Sequence, residues 1–105
     1  MRFMVTVRWD IEKGNELAKT GKLGPIVQSI LQETRPEHVF FRADQGCRSA
    51  VLIYDLNSAA EMPRIAEPWF LAANATVQFE PVMLPEDLAK AGPDIESAVK
   101  KYGRW

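Results

Sequence analysis

Phe3, Val5 and Val7 alternate with Met4, Thr6 and Arg8, and Trp9 continues the series. That period of two predicts a strand with two different faces. From Leu23 the period lengthens: Leu23, Ile26, Val27, Ile30 and Leu31 recur at the spacing of an amphipathic helix, which Pro36 ends. Between them, Asp10 to Lys22 is polar, carries Gly14 and Gly21, and reads as a loop or a weak helix start. Glu37 to Arg42, rich in Val39, Phe40 and Phe41, predicts a second strand. Asp44-Gln45-Gly46 predicts a three-residue hairpin loop with Gly46 left-handed, and Cys47 to Asp55 is the returning strand. Ser58-Ala59-Ala60-Glu61 has the spacing of a capping box. It opens a helix whose buried stripe is Met62, Ile65, Ala66, Trp69, Phe70 and Ala73, kinked at the interior Pro68. Ala75 to Val82 alternates again as a fourth strand. Pro85 opens a short helix stopped by Gly92, and Pro93-Asp94 opens a last one with the stripe Ile95, Ala98, Val99 and Tyr102.

The order β-α-β-β-α-β predicts an α+β chain of the ferredoxin-like, split βαβ type. It forms one domain over 1–105, a βαββαβ core at 1–82 and a helical C-terminal extension at 83–105. The expected sheet has four antiparallel strands in the order 4-1-3-2, with both core helices on one face. The helix-facing set is then Phe3, Val5, Val7, Val39, Phe41, Val51, Ile53, Val77 and Phe79. The open face is Met4, Thr6, Arg8, His38, Phe40, Arg42, Arg48, Ala50, Leu52, Tyr54, Thr76, Gln78 and Glu80. That face is too apolar for water and too polar for a dry core. It is either partly solvated or packed against a second copy around a lined cavity.

Composition narrows the function classes. The 105 residues carry 13 Lys+Arg against 14 Asp+Glu, a formal charge of -1, which makes no electrostatic case for nucleic acid or an anionic membrane. One Cys forms no internal disulfide, which fits a reducing, cytoplasmic setting. Arg8 interrupts the first apolar run too early for a signal peptide, and the charge-free stretch Pro68 to Phe79 is far short of the roughly 20 residues that span a bilayer.

Candidate chemistry follows from the strand directions. Arg8, Arg42 and Arg48 fall at one end of the open face, and a three-residue loop sets Arg42 directly opposite Arg48. Like charges there are destabilising unless neutralised. Either guanidinium forks hold a substrate carboxylate or phosphate, or the side chains splay into water and reach Asp44. At the other end, about 13 Å away, lie His38, Tyr54 and Glu80, a set able to move a proton. Each also has a plain reading: an edge histidine in water, an amphipathic packing residue, and a partner for Arg2. Cys47 falls on the face opposite His38, roughly 15 Å away, as a small buried hydrophobe. One His and one Cys without clustered spacing make no metal site, and no cofactor signature is present. Trp69 and Phe70 beside Trp9 are core, or the aromatic wall of a pocket between helix and sheet. The terminal stripe cannot bury itself alone; it packs on its own sheet edge or clasps a partner subunit.

The opening Met1 to Val7, the hairpin, the segment Ile65-Ala66-Glu67-Pro68-Trp69-Phe70 and the strand Val77-Gln78-Phe79-Glu80-Pro81-Val82 resemble an uncharacterised bacterial family, a domain of unknown function, within the dimeric α+β barrel superfamily. The likeness covers residues 1 to about 90. That superfamily includes muconolactone isomerases, cofactor-free monooxygenases of antibiotic biosynthesis, haem-degrading enzymes and stress-response dimers. The resemblance implies a homodimer with facing sheets, and a site between sheet and helices or inside the barrel. Two functions are then expected. One is binding or conversion of a small anionic or aromatic metabolite without a metal, with Arg8, Arg42, Arg48 and Trp69 binding it and His38, Tyr54 or Glu80 moving a proton. The other is a non-catalytic homodimeric interaction or stress-response protein.

Overall fold

The structure, a computed structural model, describes residues 1–104. Its elements are β1 (Arg2–Arg8), α1 (Ile11–Lys19), α2 (Leu23–Thr34), β2 (His38–Asp44), β3 (Cys47–Asp55), α3 (Met62–Ala73), β4 (Thr76–Val82), α4 (Pro85–Lys90) and α5 (Gly92–Tyr102). The four strands form one antiparallel sheet in the order β2-β3-β1-β4, the expected α+β arrangement. No helix among the described residues is long and apolar enough to cross a membrane.

Local signals explain most boundaries. Arg35, left-handed at φ 50°, ends α2 by donating its N–H to the Leu31 carbonyl, and Pro36 follows. Before α3, the Glu61 carboxylate accepts from the Asn57 and Ser58 amides, and Ser58 Oγ accepts from Ala60 N, across a 3-10 turn at Ala59–Glu61. The helix of α3 then continues through Pro68 and stops at Asn74, left-handed at φ 51°. Of the two readings of Asp10 to Lys22, the helix holds, over Ile11–Lys19. Asp10 caps α1 by accepting from Lys13 N at 2.9 Å, and Leu17 anchors that helix in the core. Gly14 is buried there because α1 lies close to the sheet: a Cβ at this position would sit 3.1 Å from the Arg48 guanidinium.

The hairpin departs from expectation, with consequences across β3. Asp44 pairs with Cys47, so the loop has two residues, Gln45 and Gly46, at φ 51° and 78°. Two positive φ values give a type I′ turn, whose twist matches the strands. A loop shorter by one residue moves β3 by one register and turns every side chain over. Ala50, Leu52 and Tyr54 therefore face the helices and are buried with Val5, Val7, Ile30, Ile65 and Trp69. Val51 and Ile53, expected inside, lie on the open face with Cys47 and Ser49. Three rows cross that face: His38-Ile53-Met4-Glu80, Phe40-Val51-Thr6-Gln78 and Arg42-Ser49-Arg8-Thr76. Phe70, placed in the buried stripe of α3 by periodicity, is exposed.

Candidate functional site

The expected proton-transfer set does not assemble. Tyr54 is on the helix side, 2% exposed, with its hydroxyl 2.7 Å from Thr34 Oγ1, which itself donates to the Ile30 carbonyl. Burial pushes the phenol up, so it keeps its proton. Its position is that of a core tie between β3 and α2. His38 and Glu80 share a row but stand at opposite edges of the sheet, three strand spacings or about 14 Å apart. His38 is exposed and stacks on Phe40 with centroids 6.5 Å apart. Glu80 is exposed, and Arg2 pairs instead with Glu37, bidentate at 2.9 and 3.0 Å. Cys47 shares the open face with His38 rather than opposing it. Six positions of β2 still separate His38 from Asp44, the residue facing Cys47, about 20 Å along the strand.

The three arginines also divide. Arg8 and Arg42 stay on the open face, and the Asp44 carboxylate lies between them, 2.6 Å from Arg8 and 3.5 Å from Arg42. The Arg8 guanidinium, hydrogen-bonded to that carboxylate, holds Asp44 below the usual carboxylate range. Repulsion between Arg8 and Arg42 is thus relieved inside the chain. Arg48 is not opposite Arg42 but pairs with Ala43, on the helix side. There its Nη1 donates to Asn15 Oδ1 at 2.9 Å.

Arg48 reaches a feature that periodicity did not reveal. Between α1 and α2 on one side and β2 and β3 on the other lies an open groove of about 1320 Å³. It exists because the helices do not cover edge strand β2: Phe41 points to the helix side yet is 60% exposed. Leu23, Val27 and Leu31 of α2 face Val39 and Phe41 across it, and Trp9 also lines it. The charged residues lining it are Arg35, Arg42 and Arg48, with no Asp or Glu. Trp69, expected as a binding residue, is fully buried and does not line the groove; it supports Trp9 edge-on, with centroids 5.3 Å apart. Cys47, expected as a buried hydrophobe, is partly exposed at the groove's hairpin end. Leu23, Val27, Leu31, Val39 and Phe41, which sequence reasoning assigned to the core, are therefore wall residues, while Ile30 stays buried. The available hint was Phe40-Phe41, two adjacent aromatics that give one strand an apolar side chain on each face.

Among the described residues, no group of three or more His, Cys, Asp or Glu side chains is placed to hold a metal ion. No family model matches the chain, and no curated protein matches it significantly.

Proposed function

We propose that the chain binds a small, largely apolar or aromatic ligand carrying one anionic group, in the groove between α2 and the β2–β3 hairpin. The observation that carries this reading is the charge of the lining: Arg35, Arg42 and Arg48 are among its residues, with the Arg48 guanidinium on the helix side, and no Asp or Glu lines it. Ligand pockets commonly combine apolar walls with a few placed polar groups. Arg48 is the best-prepared of the three. Asn15 orients it through a neutral acceptor, so its charge is not spent on a carboxylate of the chain, whereas Arg42 already shares Asp44. A planar fork held in place loses less freedom on gripping a carboxylate. The apolar wall would take the body of the ligand and Arg48 its head.

Matched probes test this. Phenylacetate and octanoate are expected to raise the melting temperature and to bind in calorimetry, whereas phenethyl alcohol and 1-octanol do so far more weakly. Arg48→Ala should weaken the carboxylates by about tenfold or more, the 1.5–3 kcal/mol of a charged hydrogen bond. Equal binding of acids and alcohols, or Arg48→Ala binding like the parent, would overturn the reading.

A second reading, a homodimer of the α+β barrel kind, is favoured by the open face. The corrected register puts Met4, Phe40, Val51 and Ile53 together in its middle, with Phe40 largely exposed. Charged groups lie at both ends, Arg8, Arg42 and Asp44 at one and Glu37 and Asp55 at the other. An apolar centre within a polar rim is the anatomy of a protein interface. Ile53→Asp would bury an unpaired charge in such a dimer, and sedimentation equilibrium should show association weakened by at least about a hundredfold. An unchanged self-association, or a parent that is monomeric at high micromolar concentration, would sink the open-face dimer.

A further inference from the structure

Strand β2 lies at the edge of the sheet, and its backbone is only half paired. Two bonds at the ends of the β1–β3 ladder fix the phase: Trp9 N–H donates to the Arg48 carbonyl, and Leu56 N–H to the Met1 carbonyl, both at 2.9 Å. Antiparallel partners alternate between bonded and unbonded pairs. Even-numbered residues of β3 therefore bond to β1, and Cys47, Ser49, Val51 and Ile53 bond to β2. Their partners on β2 are Asp44, Arg42, Phe40 and His38. Val39, Phe41 and Ala43 are left with N–H and C=O pointing away from the sheet, and no hydrogen bond among the described residues engages them. The same three residues line the groove.

We infer that the ligand of the groove is an extended peptide segment that adds to β2 as a fifth, antiparallel strand, with an acidic residue at the hairpin end and apolar residues two and four positions after it. This names the ligand class of the groove and rests on the reading that the groove binds an anion. In recognition of this kind, backbone pairing at an exposed edge supplies affinity, and pockets for alternate side chains supply the choice of sequence. The side chains that face the groove are those opposite Ala43, Phe41 and Val39. Beyond Ala43 the row continues to Arg48 and Trp9. The small Ala43 leaves the path across β2 open. Strand β3 lies two strand spacings, about 10 Å, from the added strand, a span that a glutamate and an arginine cover together. The glutamate meets the guanidinium fork that Asn15 holds. Opposite Phe41 and Val39, apolar side chains fill the space against Val27 and Leu31. Strand β2 of a second copy is the poorer occupant, because the face it would present, Val39, Phe41 and Ala43, offers Arg48 no counter-charge.

The probe is acetyl-Ser-Glu-Thr-Val-Thr-Leu-Ser-amide, whose blocked ends leave one carboxylate, titrated by calorimetry into the full chain. Replacing its Glu by Gln should weaken binding about tenfold or more, and Arg48→Ala should erase that preference. N-methylation of the peptide reads the strand itself. A methyl on the Val amide, which faces β2, should weaken binding at least about tenfold. A methyl on the Thr amide before Leu, which faces away, should leave it nearly unchanged. In hydrogen exchange, the amides of Val39, Phe41 and Ala43 should be fast in the free chain at every concentration and slow with the peptide bound. Octanoate is the control for the groove. If octanoate binds and the peptide does not, if the two methylations act alike, or if the Glu and Gln peptides bind equally, strand addition of an acidic peptide is overturned while the groove stands as an anion site. If neither octanoate nor the peptide binds, both fall. Protection of those three amides in the free chain that grows with protein concentration would assign the edge to a second copy, and would also overturn the proposal.

Discussion

Leu52→Ala is expected to destabilise the fold by about 2–5 kcal/mol, and Ile53→Ala, one residue further along the same strand, by about 1 kcal/mol. Urea unfolding measures both, at a protein concentration low enough to keep the chain monomeric. The contrast comes entirely from register. Leu52 is fully buried between Val5 and Val39 on the helix side, and its removal leaves a cavity that neighbouring elements cannot close. Ile53 lies on the open face between His38 and Met4, where truncation leaves a dent that solvent can fill. A three-residue hairpin loop would reverse the order of the two costs. Equal or inverted values would therefore reject the two-residue turn and the faces derived from it.

Trp69→Ala should cost about 3–5 kcal/mol, the range for deleting a buried aromatic. Trp69 is fully buried, and its indole holds Trp9 edge-on at 5.3 Å, a contact worth about 0.5–1.5 kcal/mol beyond area burial. The effect should reach the groove, because Trp9 lines it and loses its backing. Trp69→Phe keeps an aromatic there and should recover most of the stability. Chemical denaturation gives the energies, and a red shift of Trp9 emission in Trp69→Ala, read in a Trp105→Phe background, reports the loosening of Trp9. A stable Trp69→Ala protein with unshifted emission would show that Trp69 does not support that wall.

Much of the fold was legible because its signals are local. Pro36 marks the end of α2, the Ser58–Glu61 spacing marks the approach to α3, and strict alternation marks β1 and β4. The facing of β3 was not legible in the same way. Its segment offers apolar residues at both parities, Val51 and Ile53 at one, Ala50, Leu52 and Tyr54 at the other. The choice between them passed to a turn in which Gln45, neither Gly nor Asn, adopts positive φ. That single residue of loop length moved Tyr54 and Arg48 away from the group in which sequence reasoning had placed them. Helix α1 was legible only as one of two alternatives, because its polar composition and Gly14 weaken the helical signal that Asp10 and Leu17 give. The groove was least legible. Val27, Leu31, Val39 and Phe41 have core character, and they line an opening only because α2 stops short of the outer strand. No periodicity encodes the distance between two elements.

That outer strand has a consequence for how the chain stays dispersed. A sheet edge leaves backbone donors and acceptors ready to template another strand, and the hazard grows with apolar side chains on both faces. In β2 the run Val39-Phe40-Phe41 has that composition. It is bracketed by Glu37 before it and by Arg42 and Asp44 after it, the flanking charges that discourage stacking of like strands. Arg42 lines the groove and also guards the edge beside it. Selection for a ligand that neutralises this arginine would therefore act against resistance to aggregation, and the two demands meet on one side chain.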